Sequence, residues 1–154
     1  MSTPEVGDQA PGFDGVTHAH GTLTLSRLRG KPVVLYWYPK DDTTGCTIEA
    51  CNFRDDHAAL RAAGAEVIGI SCDTLDSHRA FADRFDLPFP LVADTSGAIT
   101  RAYGVPLGVD GNGMWPKRWT FLIGPDGVVV RKWERVDVKM HSKEILAILG
   151  TMKQ

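Results

Sequence analysis

The feature that most constrains the fold is an uninterrupted apolar and aromatic run, Val33–Tyr38, with a proline on either side of it. A half-exposed strand would alternate apolar and polar residues, so this run fits a strand buried on both faces. Such a strand needs other elements packed against each face of its sheet. We therefore predict that the chain folds around a central strand at 33–38.

The segments around this strand alternate between strand and helix patterns. We predict, in chain order, a hairpin from 13–17 and 22–25, a helix at 44–63, a strand at 65–70, a helix from 75, a strand at 91–92, a helix at 96–103, strands at 119–123 and 128–136, and a last helix. Thr43 or Thr44 is predicted to cap the helix at 44–63, and Gly64 to end it. Asp73 or Thr74 is predicted to cap the helix from 75, and Ser142 the last helix. The segment 104–117 is expected to lack regular structure. This order implies a mixed sheet with helices on both faces, for which a thioredoxin-like α/β fold with an N-terminal hairpin is the natural candidate.

Composition limits the class of protein. The chain has 154 residues, of which 43% are hydrophobic, and this predicts a single domain over 1–154. It has 17 Lys and Arg against 19 Asp and Glu, a balance that argues against nucleic acid as a partner. No apolar run reaches the roughly 20 residues that a membrane span needs, and Met1–Ala10 does not resemble an export signal. We expect a cytoplasmic protein without a membrane partner.

The three cysteines are the first indication of chemistry. Their odd number, with Cys46 close to Cys51, favours reactive thiols in a reducing compartment over a disulfide framework. Cys46 follows the carboxyl end of the central strand, at the predicted helix start, where open α/β sheets place ligands. On its own, a cysteine at such a position is more often a small buried hydrophobic residue.

A reactive Cys46 would need help to ionise. The thiolate is the nucleophile, and a free thiol with a pKa of about 8.5 is only a few per cent ionised at neutral pH. A helix start usually stabilises a nearby anion by only ~0.3 to 1 kcal/mol, which is too little to ionise such a thiol at neutral pH. A nearby cation is therefore required. Arg118, directly before the strand at 119–123, is the best candidate on topology, although without further context it reads as a solvated charge.

The segment 36–54, YWYPKDDTTGCTIEACNFR, resembles the active-site segment of peroxiredoxins, and most closely that of the bacterioferritin comigratory protein or peroxiredoxin Q branch. Pro39, Thr43 and Cys46 match the family pattern Pro-x-x-x-Thr-x-x-Cys, and Cys51 matches the branch's second cysteine. The resemblance extends over nearly the whole chain and places Arg118 on the family's active-site arginine.

The resemblance implies a role for each of these residues. Cys46 is the peroxidatic cysteine, which a hydroperoxide oxidises to a sulfenic acid, and Cys51 is the resolving cysteine. Thr43 hydrogen-bonds the thiolate and the peroxide, Arg118 stabilises the anion, and Pro39 shields the site from water.

Four other residues have two interpretations each. Glu49 resembles a recurrent glutamate of the branch, but its position also suits a simple pair with a neighbour. Cys72 ends a predicted strand and could be an alternative resolving thiol, although a packed strand-end residue is the more common case. His18 and His20 could offer two metal ligands, but a zinc site needs four, and a surface turn fits better.

The spacing of the two cysteines predicts a conformational step. On an α-helix, residues five apart have Cα atoms roughly 8.7 Å apart, whereas a disulfide tolerates at most about 7 Å. If Cys51 resolves Cys46, the start of the helix must unwind in every cycle. Gly45 and the neighbouring threonines make this unwinding easier than an alanine-rich turn would.

These observations favour a thiol peroxidase that reduces hydrogen peroxide and organic hydroperoxides. The resemblance implies recycling by thioredoxin or a glutaredoxin-like protein, and it implies no metal, flavin or haem cofactor. Because members of the branch are often monomeric, we also expect a monomer. Two alternatives remain. A general disulfide oxidoreductase is disfavoured because thioredoxins use Cys-x-x-Cys, and a redox sensor would use the same sulfenic acid to switch a partner surface.

Overall fold

The computed structural model describes residues 3–19, 21–111 and 113–152. Its elements are β1 (Asp14–Val16), β2 (Thr22–Thr24), a 3-10 helix (Leu25–Leu28), β3 (Val33–Trp37), α1 (Thr44–Asp55), α2 (His57–Ala62), β4 (Glu66–Ser71), α3 (Leu75–Phe85), β5 (Leu91–Ala93), α4 (Ala98–Ala102), β6 (Leu107–Asp110), β7 (Gly113–Pro116), β8 (Thr120–Ile123), β9 (Val129–Trp133) and α5 (His141–Met152).

A five-stranded mixed sheet forms the centre of the molecule, in the order β5-β4-β3-β8-β9. The strand β3 lies in the middle, parallel to β4 and antiparallel to β8, and all five of its residues are buried. This confirms the predicted central strand. The strands β4 and β5 are also parallel, so their carboxyl ends and that of β3 meet at one edge.

Helices cover both faces of this sheet, as predicted. Alternate residues of a strand point to opposite faces. Val34 and Tyr36 of β3 contribute to a core shared with α1, α2, α3 and α5. Leu35 and Trp37 contribute to a second core, against which α4 and the 3-10 helix pack. The predicted N-terminal hairpin is present as the antiparallel pair β1 and β2.

The prediction of one helix over 44–63 is wrong, because the chain forms two helices that meet at Asp56. The backbone of Asp56 departs from helical geometry, with φ −93° and ψ 4°. Its carboxylate accepts hydrogen bonds from Ser142 at 2.6 Å and Lys143 at 3.2 Å, at the start of α5. A tertiary contact therefore accompanies the break. Gly64 ends α2 with a φ of +87°, in the left-handed conformation that was expected.

The expectation that 104–117 lacks regular structure is also wrong. This segment contains the antiparallel pair β6 and β7. Gly108 makes the pairing possible, because a Cβ there would clash with the Trp115 ring. The indole also donates to Asp110 at 3.1 Å. Within the described residues, no helix combines the length and the apolar character that crossing a membrane requires.

Candidate active site

Cys46 lies in the first turn of α1, where the chain leaves the carboxyl end of β3. Its residue is 1% exposed and its thiol is free. The loop 39–43 connects β3 to this helix and contains the family pattern's proline and threonine. The topology therefore places Cys46 at the sheet edge where parallel strands end, as the sequence predicted.

Sheet pairing brings Arg118 to the same edge. The strand β8 runs antiparallel to β3, and the N–H of Trp37 donates to the carbonyl of Trp119 at 2.7 Å. Arg118 precedes Trp119, so it lies beside the end of β3. Its Nη2 is 3.4 Å from Cys46 Sγ, and its Nη1 donates to Glu49 Oε1 at 2.8 Å. The structure thus brings together the cysteine and the cation that the sequence paired.

Glu49 completes this charged group from inside the protein. Its residue is 0% exposed, and burial raises the pKa of its carboxyl group from 4.5 to about 7, with Arg118 opposing that shift. Among the described residues, its Oε2 has no hydrogen-bond partner. Burial works against the charge of Arg118, but Cys46 and Glu49 outweigh it and raise the pKa of the guanidinium. The guanidinium therefore stays positive beside the sulfur.

Gly45 belongs to the site, in addition to its predicted effect of weakening the helix start. A Cβ at this position would lie 3.0 Å from Arg118 Nη2, which is tighter than an ordinary contact. The absent side chain therefore lets the guanidinium approach the first turn of α1. A glycine directly before a candidate nucleophile was the available signal.

Thr43 occupies the N-cap position of α1, with an extended backbone, but makes no side-chain cap. Its hydroxyl donates instead to the carbonyl of Lys40 at 2.8 Å. The prediction that Thr43 or Thr44 caps the helix through its side chain is therefore wrong for Thr43, whose proton is used inside the loop. The N–H groups in the first turn of α1 therefore do not donate to the Thr43 hydroxyl.

Pro39 is half-buried beside a groove of about 660 Å³. Cys72 and the residues Met114 and Trp115 of β7 also line this groove. Burial raises the pKa of the Cys72 thiol to about 11, which keeps it protonated at neutral pH and makes it a poor nucleophile. Cys51 is a free, half-buried thiol on the same helix as Cys46.

The two histidines weighed as metal ligands have different outcomes. His18 is buried rather than at the surface, and its Nδ1 accepts a hydrogen bond from the backbone N–H of Leu91 at 3.3 Å. The predicted surface turn is therefore wrong for His18. His20 lies outside the described residues.

Comparisons with known proteins point to one family. The AhpC/TSA family model matches residues 6–132. A putative peroxiredoxin bcp of Coxiella burnetii is 43% identical over 150 residues, covering 94% of this chain and 98% of that protein. Peroxiredoxin Bcp of Bacillus subtilis is 39% identical, over 99% of each chain.

Solved structures show the same fold. The peroxidoxin BcpB of Mycobacterium tuberculosis superposes with a TM-score of 0.90 at 32% identity, covering 98% of this chain and 99% of that one. Peroxiredoxin Q of Xanthomonas campestris gives 0.84 at 32% identity, over 92% of each chain. These matches confirm the thioredoxin-like fold. Together with the sequence matches, they show that the chain belongs to the AhpC/TSA family, in its Bcp and peroxiredoxin Q branch, and is a thiol-dependent peroxidase that takes a peroxide substrate and a thiol reductant.

Proposed function

We propose that Cys46 is the peroxidatic cysteine and that Arg118 activates it. The observation that carries this proposal is the 3.4 Å contact between Arg118 Nη2 and Cys46 Sγ at the start of α1. A fixed positive charge and the helix start both favour the thiolate, which is the reactive form. The guanidinium cannot lose its charge at physiological pH, so this support is constant.

In the first step, the Cys46 thiolate attacks the terminal oxygen of a hydroperoxide. The S–O bond forms as the O–O bond breaks, the sulfur is oxidised to a sulfenic acid, and the peroxide is reduced. The departing oxygen takes a proton from water and leaves as water or an alcohol. Arg118 stabilises the negative charge as it moves from sulfur to that oxygen.

Thr43 and Pro39 shape the place where the peroxide reacts. The hydroxyl proton of Thr43 is donated to the carbonyl of Lys40. Its oxygen therefore acts as an acceptor for the O–H of the hydroperoxide, rather than as a donor to the thiolate as the resemblance implied. Pro39 offers no N–H group and limits the access of water to the sulfur. Alkyl peroxide reduction is described for the X. campestris bacterioferritin comigratory protein, and we extend organic hydroperoxides, with hydrogen peroxide, to this chain.

In the second step, the Cys51 thiol attacks the sulfenic sulfur of Cys46, and water leaves as the disulfide forms. Both cysteines belong to α1, and the five-residue spacing exceeds disulfide reach in an intact helix. The helix start therefore unwinds. A dithiol protein such as thioredoxin or a glutaredoxin-like protein then reduces the disulfide and is itself oxidised.

Both cysteines that react in this cycle belong to one chain, so a monomeric, single-domain enzyme over 1–154 is sufficient. The odd number of cysteines and the need for a dithiol reductant suit the cytoplasm. No step requires a metal, flavin or haem.

Stopped-flow peroxide reduction by the wild type, Cys46→Ser and Cys51→Ser, with mass spectrometry of the trapped states, tests the proposal. Cys46→Ser should lose the first peroxide reaction entirely. Cys51→Ser should keep that reaction but accumulate the sulfenic acid or its more oxidised forms. Cys72→Ser is the matched control and should turn over like the wild type. A Cys46→Ser protein that still consumed peroxide rapidly would contradict the assignment, and loss of turnover in Cys72→Ser would move the resolving role away from Cys51.

A further inference from the structure

A buried polar network ties the loop 39–43 to α3 through Asp41. The Tyr38 hydroxyl donates to Asp41 Oδ1 at 2.6 Å, and the Ser77 hydroxyl donates to Oδ2 at 2.8 Å. His78 Nδ1 lies 2.7 Å from the same Oδ2. The carboxylate of a loop residue is thus held by three side chains, two of them from the first turn of α3.

His78 fixes this network to the sheet. Its residue is 0% exposed, and its Nε2 donates to the carbonyl of Val92 in β5 at 2.9 Å. The backbone N–H of Asp41 adds a further bond, to Asp73 Oδ2 at 2.9 Å. Tyr38, Asp41 and His78 are buried, whereas Ser77 and Asp73 are half-buried. Breaking a bond among the first three therefore leaves polar atoms without water to replace the partner.

The loop needs such support because part of it adopts an unfavourable conformation. Asp42 has a φ of +61°, in the left-handed region that residues other than glycine seldom occupy. Asp42 also pairs with Arg84 of α3 at 2.7 Å, but both side chains are largely exposed, and exposed ion pairs contribute little. The buried bonds of Asp41 are therefore the main restraint on the loop.

We propose that Asp41 and His78 are positioning residues for the reaction of Cys46, a role that rests on the proposed function. They hold the loop, and with it Pro39, Thr43 and the start of α1, in the arrangement that reacts with peroxide. The same bonds oppose the unwinding that the Cys46–Cys51 disulfide requires. The network therefore sets the balance between the two steps of the cycle.

This balance predicts opposite effects on the two steps. When the loop is released, the folded site is populated less, so the second-order reaction of Cys46 with peroxide slows. The unwound state is populated more, so formation of the disulfide from the sulfenic acid becomes faster. A residue that only supported global stability would not move the two rates in opposite directions.

The test compares Asp41→Ala, Asp41→Asn and Ser77→Ala with the wild type by stopped-flow kinetics of both steps. We expect Asp41→Ala to slow the peroxide reaction about tenfold and to speed disulfide formation a few-fold, because all three side-chain bonds are lost. Asp41→Asn keeps an acceptor for Tyr38 and a polar group facing His78, so it should recover part of both rates. Ser77→Ala removes one bond and should show a smaller change in the same directions.

Arg84→Gln is the matched control, because it removes the exposed contact between the same loop and the same helix. Both of its rates should stay within about twofold of the wild type. Hydrogen exchange of the reduced proteins, read by mass spectrometry over 39–50, adds a measurement that does not depend on peroxide. This segment should exchange faster in Asp41→Ala and Ser77→Ala than in Arg84→Gln.

Unchanged exchange and unchanged rates in Asp41→Ala and Ser77→Ala would overturn the positioning role, as would slowing of both steps together. If Asp41→Ala does not fold, Ser77→Ala decides. Failure of the proposed function looks different, because the wild type itself would then show no Cys46-dependent reaction with peroxide, while hydrogen exchange would still test the loop.

Discussion

The starts of α1 and α3 form an instructive pair, because both helices follow neighbouring parallel strands but their first turns are capped differently. In α3, Thr74 Oγ1 accepts a hydrogen bond from the Ser77 N–H at 3.2 Å, and Asp76 lies in the first turn. In α1, the corresponding Thr43 hydroxyl bonds back to the loop, and the first turn has no acidic residue.

This difference separates a supporting helix from a reactive one. A capped start with an acidic residue stabilises the first turn of α3, and that turn holds the loop through Ser77 and His78. The start of α1 keeps its N–H groups and positive dipole end available for a sulfur anion or a peroxide oxygen. Disulfide formation requires this first turn to unwind, and no side-chain capping bond of Thr43 has to break when it does.

Removing the positive charge at the start of α1 should have the largest effect. In Arg118→Met, the sulfur loses the guanidinium 3.4 Å away, so the second-order rate with peroxide should fall between about 100-fold and 1,000-fold. Stopped-flow kinetics measures it. Arg131→Met, at an exposed position of β9, is the control and should react like the wild type. A loss of less than about fivefold in Arg118→Met would contradict the role of this cation.

The buried carboxyl group of Glu49 should make stability depend on pH. Its pKa is about 7 in the folded protein against 4.5 in the unfolded chain, so the folded state holds its proton to higher pH. The associated stability is complete below about pH 4.5 and is lost as the pH rises through 7.

Glu49→Gln removes this dependence. Relative to the variant, the wild type should lose on the order of 2–3 kcal/mol of unfolding free energy between pH 4.5 and 8. Urea denaturation of both proteins across this range measures the difference. If the difference between the two proteins stayed constant with pH, the buried carboxyl group would not hold its proton in the way described.

Strengthening the start of α1 should damage the site. In Gly45→Ala, the new Cβ would lie 3.0 Å from Arg118 Nη2 and displace the guanidinium, while alanine favours the helix. The peroxide rate should fall about tenfold and disulfide formation should slow. Gly150→Ala in α5, where a Cβ meets open space, should gain about 0.5–1 kcal/mol of stability with normal kinetics. Equal kinetics in the two variants would refute the role of Gly45.

Removing the side-chain cap of α3 should have the smallest effect. Thr74→Ala removes the cap bond to Ser77, so unfolding free energy should fall by about 1 kcal/mol. The peroxide rate should remain within about twofold, because Ser77 and His78 keep their own bonds to Asp41. Thermal unfolding and stopped-flow kinetics test both parts, and a tenfold kinetic loss would show that the cap, rather than the buried network, positions the loop.

The sequence predicted what depends on local patterns and on one specific motif. The central strand β3, the mixed sheet and the position of Cys46 follow from the apolar run and the strand and helix alternation. Arg118 could be named because it directly precedes the strand predicted at 119–123, and the family resemblance supported it.

The features that the sequence missed depend on contacts between distant residues. The break at Asp56 coincides with a bond to Ser142, 86 positions away, and Asp41 meets His78 across 37 positions. The hairpin in 104–117 depends on an indole lying over Gly108. Contacts between residues so far apart in the chain leave no local pattern in the sequence. The glycine-rich segment 104–117 also carries little periodicity.

The central claim is that the uncapped start of α1 unwinds when the two cysteines of the helix react. Far-ultraviolet circular dichroism of the reduced protein and of protein treated with one equivalent of peroxide tests it, with mass spectrometry to identify the bond between Cys46 and Cys51. We predict a loss of helical signal of the size of one to two turns, reversed by a dithiol. Unchanged helicity in a protein proven to contain that disulfide would contradict the account.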